Sequence, residues 1–229
     1  MLAQVRAVAF DLDNTLWHVD PVIARAEERW MDWLREHCPR IPARLSIEDM
    51  RLARLELAVS EPHNAHDFTY LRIASLARHA RDFGYSEAIA EQAFEIFFAA
   101  RNELDVFEDV RPGLARLRTR FELATLSNGN ADLDRIGLAD CFTVSLNARG
   151  IGAAKPARRC FEQLVNALRL EPSEVLYVGD DPILDVEAAR AVGLQTAWMN
   201  RTAQIWPPTV AAADIDVKDC LDLASRLGT

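Results

Sequence analysis

The chain has 229 residues and a formal net charge of −9 at pH 7. Its 50% hydrophobic and 27% charged residues exclude disordered and fibrous classes and are enough to build a sizeable core. The acidic balance argues against a nucleic acid partner, because a phosphate backbone requires a basic protein face.

The placement of the cysteines and the hydropathy of the sequence indicate in which cellular compartment the protein resides. The four cysteines are Cys38, Cys141, Cys160 and Cys220. They form no Cys-x-x-Cys pair, so no thiolate metal site is predicted, and scattered thiols suit a reducing compartment. The N-terminal apolar run is too short for a signal sequence, and no stretch reaches about 18 apolar residues, so we expect no membrane segment. We therefore expect a cytoplasmic protein, either a monomer or a homodimer.

The first hundred residues predict one strand followed by helices. Residues 5–10 form a compact apolar run, which is typical of a buried strand. Helices are predicted at 21–37, 46–60, 67–83 and from residue 86 to about residue 101. Ser46 and Asp49 have the spacing of a capping box at the start of the second of these helices.

The rest of the chain alternates between strands and helices. Strands are predicted at 121–126, 142–146, 175–178 and 194–198, helices at 112–119, 155–168 and 182–192, and a short edge segment with a last helix at 214–227. This alternation predicts a parallel, doubly wound α/β sheet. The helical block interrupts that sheet after its first strand. We therefore expect a catalytic core of residues 1–16 and 105–229 and a helical cap of residues 17–104 above the ligand-binding edge.

Polar side chains follow the predicted strands at several points. They are Asp11, Asp13, Thr15, Ser127, Asn128, Lys155, Asp180, Asp181 and Asp185. Because the carboxyl ends of parallel strands meet at one edge, we expect these side chains to converge. Neighbouring carboxylates repel unless a cation neutralises them, and hard oxygen ligands suit Mg²⁺. With hydroxyl and ammonium donors for a phosphoryl group and a carboxylate nucleophile, the set predicts Mg²⁺-dependent phosphoryl transfer.

The order of these residues resembles the four sequence motifs of the haloacid dehalogenase superfamily of hydrolases. The matching segments are Asp11-x-Asp13-x-Thr15, Ser127-Asn128, Lys155 and Gly179-Asp180-Asp181-x-x-x-Asp185. The resemblance covers nearly the whole chain. It implies a Rossmann-like core with an α-helical cap inserted after the first motif, a Mg²⁺ cofactor, and a small-molecule phosphomonoester as substrate.

The resemblance implies roles for the residues of the first two motifs. Asp11 would be the nucleophile and a Mg²⁺ ligand. Asp13 would be the general acid and base, and its carbonyl oxygen would also bind the metal. Thr15, Ser127 and Asn128 would bind the phosphate.

The last two motifs complete the implied site. Lys155 would neutralise the nucleophile and the phosphate, although it also suits a solvated helix start. Asp180 would be the third metal ligand. Asp181 would act on the metal through water, or would simply cap the helix that opens at Pro182. Asp185 would orient this loop and Lys155.

Asp13 separates the branches of the superfamily. Its dehalogenase branch lacks an aspartate two residues after the nucleophile, whereas this chain has one. A phosphatase is therefore favoured over a 2-haloacid dehalogenase. The alternatives are that dehalogenase, a phosphomutase with the same motifs, and a non-catalytic binding protein that uses the cap surface.

Similarities in short segments of the chain point to a class of substrate. Segments 12–17, 21–23, 61–62 and 66–69 resemble a bacterial subgroup that hydrolyses FMN and 5-amino-6-(5-phosphoribitylamino)uracil, and residues 127–130 and Trp198 agree with it. Trp17, His18 and His66 are candidate specificity residues. Trp17 either stacks on a flat substrate or fills the hinge between cap and core. His66 lies in a polar stretch that faces either the leaving group or solvent.

Overall fold

The computed structural model describes residues 4–229, which divide into an α/β unit and a helical unit. The α/β unit contains the described residues up to His18, with Asp105–Gly129 and Gly137–Thr229. The helical unit contains Val19–Leu104 and Asn130–Ile136. The predicted cap of residues 17–104 did not include this second segment.

Across residues 4–229, six parallel strands form one sheet in the order β3-β2-β1-β4-β5-β6. They are β1 Ala7–Phe10, β2 Glu122–Ser127, β3 Val144–Asn147, β4 Val175–Gly179, β5 Gln195–Met199 and β6 Ile215–Val217. All residues of β1 and β4 are buried, as expected for central strands covered on both faces. The sheet confirms the predicted doubly wound, Rossmann-like α/β fold.

The helices carry the rest of the fold. In chain order they are α1 Val19–His37, α2 Ile47–Ser60, α3 Phe68–Asp82, α4 Ile89–Arg101, α5 Val110–Leu117, α6 Leu133–Ile136, α7 Ala148–Ile151, α8 Arg158–Leu168, α9 Ala188–Arg190 and α10 Cys220–Arg226. A π-helical turn, Pro182–Glu187, leads into α9. Among the described residues, no helix is both long enough and apolar enough to cross a membrane.

Local sequence signals account for the helix starts in the helical unit. The predicted capping box is present: the Asp49 N–H donates to Ser46 Oγ, and the Ser46 N–H donates to Asp49 Oδ2. Asp67 caps α3 by accepting the Tyr70 N–H at 2.9 Å. The helices then bury their apolar faces around a core that includes Trp30 and Phe97.

The segment around Lys155 differs from its prediction. Lys155 does not open a helix, because α8 begins only at Arg158. Pro156 follows Lys155 directly, and a residue that precedes proline is pushed out of the helical region. Lys155 therefore lies in a loop, where its side chain is buried rather than solvated.

Candidate active site

A buried lysine joins two carboxylates at the carboxyl end of the sheet. Lys155 Nζ lies 2.6 Å from Asp11 Oδ1 and 2.5 Å from Asp185 Oδ1. Burial alone would lower the pKa of Lys155, but the charges of Asp11 and Asp185 outweigh it and hold that pKa well above its ordinary value. The side chain is therefore a fixed ammonium that touches one oxygen of Asp11.

Asp11 and Asp180 end neighbouring strands, and a single hydroxyl lies between them. Thr15 Oγ1 is 3.4 Å from Asp11 Oδ2 and 3.3 Å from Asp180 Oδ1. Burial raises the pKa of Asp11 to about 8 and that of Asp180 to about 7, and repulsion from Asp185 adds to both shifts. Clustered, desolvated carboxylates of this kind are stabilised by a divalent cation, so the donor set fits Mg²⁺.

Carboxylate oxygens of Asp11, Asp180 and Asp185 all lie within 4.8 Å of one another. Asp185 nevertheless has both oxygens engaged by the protein. Its Oδ1 contacts Lys155, and its Oδ2 accepts the Asp181 N–H at 3.0 Å. Asp11 and Asp180 instead each present one oxygen to the Thr15 hydroxyl, at the longer distances of 3.4 and 3.3 Å, so they are the better candidates for metal ligands, and Asp185 holds the loop and the lysine.

Gly179 explains how Asp185 comes so close to β4. A Cβ atom at Gly179 would lie only 2.2 Å from Asp185 Oδ2. The glycine is required here for this close approach. Asp181 caps the π-helical turn, because its Oδ1 accepts the N–H groups of Ile183 and Leu184 at 2.8 Å each. Its predicted contact with the metal through water stays a prediction.

In the second motif, the amide side chain of Asn128 supports the loop that carries Lys155. Asn128 Nδ2 donates to the Lys155 carbonyl at 3.0 Å, and Asn128 Oδ1 accepts the Lys155 N–H at 2.7 Å. Ser127, the last residue of β2, accepts the Gly129 N–H on its Oγ at 3.0 Å. The structure thus places Asn128 against the loop that carries Lys155, and the phosphate contacts of Ser127 and Asn128 stay predictions.

The candidate specificity residues have different surroundings. Trp17 is fully buried, so it offers no exposed ring face for stacking on a substrate. Its Nε1 instead donates to Asp13 Oδ1 at 2.7 Å. His18 is exposed, and its ring packs edge-on against Phe107 at 4.6 Å between centroids. His66 is half-buried in the loop between α2 and α3.

Tyr177 and Trp198 support the site but were not among the predicted site residues. Tyr177 Oη accepts a hydrogen bond from Lys155 Nζ at 3.0 Å and donates to the Leu126 carbonyl at 2.8 Å. Trp198 Nε1 donates to the Asp180 carbonyl at 2.8 Å. A polar tyrosine inside an otherwise apolar strand was the available signal for the first of them.

Arg201 was also not among the predicted residues. It supports the loop that carries Thr15. Its Nε donates to the Thr15 carbonyl at 2.7 Å, and its two terminal nitrogens donate to Asp109 at 2.9 Å each. Asp109 also accepts the Cys220 N–H at 2.8 Å. No local pattern marks Arg201, since its partners lie far away in the sequence.

Comparisons with known proteins agree with this geometry. A family model of haloacid dehalogenase-like hydrolases matches residues 5–193. The 5-amino-6-(5-phospho-D-ribitylamino)uracil phosphatase YigB of Escherichia coli (strain K12) is 31% identical over 202 residues, which cover 86% of this chain and 84% of that protein. The (S)-2-haloacid dehalogenase of Pseudomonas sp. (strain YL) is 27% identical, over 93% of this chain and 90% of that protein.

Solved structures show the same fold. The crystal structure of a 2-haloacid dehalogenase from Pseudomonas syringae pv. tomato DC3000 has a TM-score of 0.92 to this chain at 31% identity, covering 97% of this chain and 98% of that one. Relatives of this fold thus include proteins named as phosphatases and proteins named as dehalogenases. The family model spans most of the chain, and five of the motif residues, Asp11, Thr15, Lys155, Asp180 and Asp185, meet at the carboxyl end of the sheet. The chain belongs to the haloacid dehalogenase-like hydrolases.

Proposed function

We propose that this hydrolase is a Mg²⁺-dependent phosphomonoesterase that acts on a small phosphorylated metabolite through an aspartyl-phosphate intermediate. The observation that carries the proposal is the contrast between Asp11 and Asp13. Asp11 is buried against an ammonium group, whereas Asp13 is partly exposed and bound to an indole N–H. One strand end therefore presents a candidate nucleophile and, two residues later, a candidate proton donor.

Asp11 begins the reaction by attacking the phosphorus atom. Lys155 holds its Oδ1 at 2.6 Å, and Oδ2, which the Thr15 hydroxyl contacts at the longer distance of 3.4 Å, would be the attacking oxygen. The bond between phosphorus and the ester oxygen breaks as the new bond to Asp11 forms. The ammonium of Lys155 offsets the negative charge that the phosphate brings into the buried site.

Asp13 serves both steps of the reaction. It gives its proton to the departing ester oxygen, so that an alcohol leaves rather than an alkoxide. The resulting carboxylate then takes a proton from water as that water attacks the phosphorus atom of the aspartyl-phosphate. Inorganic phosphate leaves, Asp11 is regenerated, and Asp13 again carries its proton.

The carboxylates of Asp11 and Asp180 and the carbonyl oxygen of Asp13 would hold Mg²⁺. When bound, the ion supplies positive charge to the phosphate oxygens and to the clustered carboxylates. The burial of Asp11 and Asp180 with raised pKa values supports this assignment. Thr15 and Ser127 would donate their hydroxyls to the phosphate.

We further propose that the helical unit is the cap of this enzyme. It is inserted directly after the loop that runs from Asp11 to Trp17, and the chain returns to the α/β unit at Asp105. A lid at this point would exclude water while the phosphoryl group is transferred to Asp11. The name of the Escherichia coli relative supports 5-amino-6-(5-phospho-D-ribitylamino)uracil as the first substrate to examine, and the resemblance of the sequence segments adds FMN.

A 2-haloacid dehalogenase is the second candidate, because relatives with that name share the fold. Displacement of a halide ion from carbon needs no proton donor, since halide is already a stable leaving group. The presence of Asp13 and of two carboxylates suited to a cation therefore favours phosphate ester hydrolysis.

The deciding experiment measures phosphate release and halide release from the purified chain. The substrates are FMN, 5-amino-6-(5-phosphoribitylamino)uracil, sugar phosphates and 2-haloacids, each assayed with Mg²⁺ and with a chelator. We expect Mg²⁺-dependent phosphate release and no halide. Halide release that the chelator leaves unchanged would replace the phosphatase proposal with the dehalogenase one.

A further inference from the structure

The loop after β1 folds back so that Trp17 reaches Asp13. Its indole Nε1 donates to Asp13 Oδ1 at 2.7 Å. Main-chain hydrogen bonds hold the loop in this shape: the Asn14 N–H donates to the Trp17 carbonyl, and the Leu16 N–H donates to the Leu12 carbonyl, both at 2.8 Å. Because Trp17 is completely buried, packing fixes the direction of its N–H group.

The chemistry of the indole suits a residue that orients an acid without exchanging protons with it. An indole Nε1–H is a donor only, so it cannot accept the proton of Asp13. A donor fixed on Oδ1 restricts rotation of the Asp13 carboxyl group, and so it fixes where Asp13 exchanges protons with the substrate and water. Asp13 must act twice at the same phosphorus atom, and a carboxyl group free to rotate would lose alignment between the two steps.

We propose that Trp17 is a positioning residue that holds the carboxyl group of Asp13 in one orientation for proton transfer to the departing ester oxygen. This inference rests on the proposed phosphatase function. It gives Trp17 a part in proton transfer rather than in stacking on the substrate. It also predicts which substrates suffer when the N–H group is removed, because only poor leaving groups depend on a well-placed proton.

The test is Trp17→Phe, measured as kcat/KM for a series of phosphate monoesters that runs from p-nitrophenyl phosphate to simple alkyl phosphates. kcat/KM reports the steps up to ester cleavage, the step in which the leaving group takes its proton. We expect a loss of about 10- to 100-fold for alkyl phosphates, the range of one hydrogen bond to a charged group. The loss for p-nitrophenyl phosphate should be much smaller, because nitrophenolate leaves without protonation.

A structural role for Trp17 would give a different result. A variant that is merely less folded loses the same factor on every substrate, so the ratio between alkyl and aryl phosphates does not change. Asp13→Ala should change that ratio in the same direction as Trp17→Phe and by a larger factor. If Trp17→Phe does not fold, Trp17→Met provides a second apolar side chain without a hydrogen-bond donor.

Trp30→Phe is the matched control. Trp30 is a buried tryptophan of α1 whose Nε1 has no hydrogen-bond partner within residues 4–229, so Trp30→Phe reduces a buried indole to a smaller ring without removing a hydrogen bond. We expect this variant to keep the wild-type ratio. An unchanged ratio in Trp17→Phe, with the wild type active on phosphates, would overturn the inference and leave the proposed function standing. A wild type that releases no phosphate from any monoester would overturn both.

Discussion

Two acidic residues of one strand end differ in their surroundings, and the difference separates their proposed roles. Asp11 is buried, and Lys155 lies 2.6 Å from one of its oxygens. Asp13 is partly exposed and bound to Trp17. A nucleophile that attacks phosphorus benefits from a fixed neighbouring cation, whereas a group that exchanges protons with water must be reachable by water.

Asp11→Asn tests the nucleophile. We expect phosphate release to fall at least about 10³-fold, because an amide oxygen is a poor nucleophile and the covalent step is lost. The fold should persist, since an asparagine oxygen still accepts the hydrogen bond from Lys155. Activity is measured as phosphate release with Mg²⁺, and folding as the thermal unfolding midpoint.

The matched control is Asp216→Asn, which removes the same charge from an exposed position on β6. This variant should keep wild-type activity. If Asp11→Asn retained full activity, another residue would be the nucleophile and the proposed mechanism would be wrong.

Among the elements, the turn after β4 depends on the close approach of the Asp185 carboxylate to the main chain at Gly179. Gly179→Ala would place a Cβ atom 2.2 Å from Asp185 Oδ2, so Asp185 must move away from Lys155. We expect a loss of about 1–3 kcal/mol of unfolding free energy from this overpacking, together with a loss of activity. Denaturant unfolding and phosphate release measure the two effects.

Gly150→Ala is the control variant for Gly179→Ala. A Cβ atom at Gly150 would lie 3.4 Å from Asn147 Oδ1, an ordinary contact, and the residue lies within α7. Alanine favours helices over glycine, so this variant should be as stable as the wild type or slightly more stable. Equal stability of the two alanine variants would show that Asp185 can shift at no cost.

The contact between Arg201 and Asp109 ties α5 to the loop after β5, and it makes stability depend on pH. Burial alone would raise the pKa of Asp109, but hydrogen bonds from Arg201 and from the Cys220 N–H outweigh burial and lower it. A carboxyl whose pKa is lower in the folded state stabilises the protein above its unfolded pKa of about 3.9. That contribution is lost as the pH falls further, through the folded-state pKa.

Asp109→Asn should therefore lower the free energy of unfolding most at neutral pH. We expect a loss of about 1.5–3 kcal/mol of unfolding free energy at pH 7, the range for hydrogen bonds to a charged group. The difference between wild type and variant should shrink below about pH 4. Denaturant unfolding of both proteins across this range is the measurement, and a difference independent of pH would mean that the charge of Asp109 contributes nothing.

Elements whose signals are local could be predicted from the sequence. The apolar run at β1, the capping box at Ser46 and the polar strand ends each need only a few neighbouring residues. α8 begins at Arg158 rather than at the predicted Lys155, because Pro156 keeps the residue before it out of the helical region. Contacts between distant residues could not be foreseen, as for Arg201 and the Thr15 carbonyl, which are 186 positions apart.

Packing also decided between alternatives that the sequence left open. Trp17 could stack on a substrate or fill the hinge between cap and core, and its burial leaves no ring face exposed for stacking. Segment Asn130–Ile136 falls in the predicted core of residues 105–229, yet it belongs to the helical unit. Its contacts explain this: the Asp132 N–H donates to Asn102 Oδ1 at 2.7 Å.

At the scale of the whole molecule, the site concentrates negative charge in a chain that is already acidic. The chain carries a formal net charge of −9, and the cluster at the sheet edge joins Asp11, Asp180 and Asp185 with one lysine. Such a cluster lowers the stability of the ligand-free fold, because buried like charges repel. A bound cation would relieve this repulsion and should therefore stabilise the entire protein.

We expect saturating Mg²⁺ to raise the thermal unfolding midpoint, since a ligand that binds only the folded state adds about 2.7 kcal/mol when present at 100 times its dissociation constant. For a chain of this length, each kcal/mol corresponds to about 2–4 °C. Asp180→Asn should lose this increase along with Mg²⁺-dependent activity. Asp216→Asn, with the same charge change on the exposed face of β6, should keep both. An equal increase in wild type and Asp180→Asn would mean that Mg²⁺ binds elsewhere, and the assignment of Asp180 as a ligand would fail.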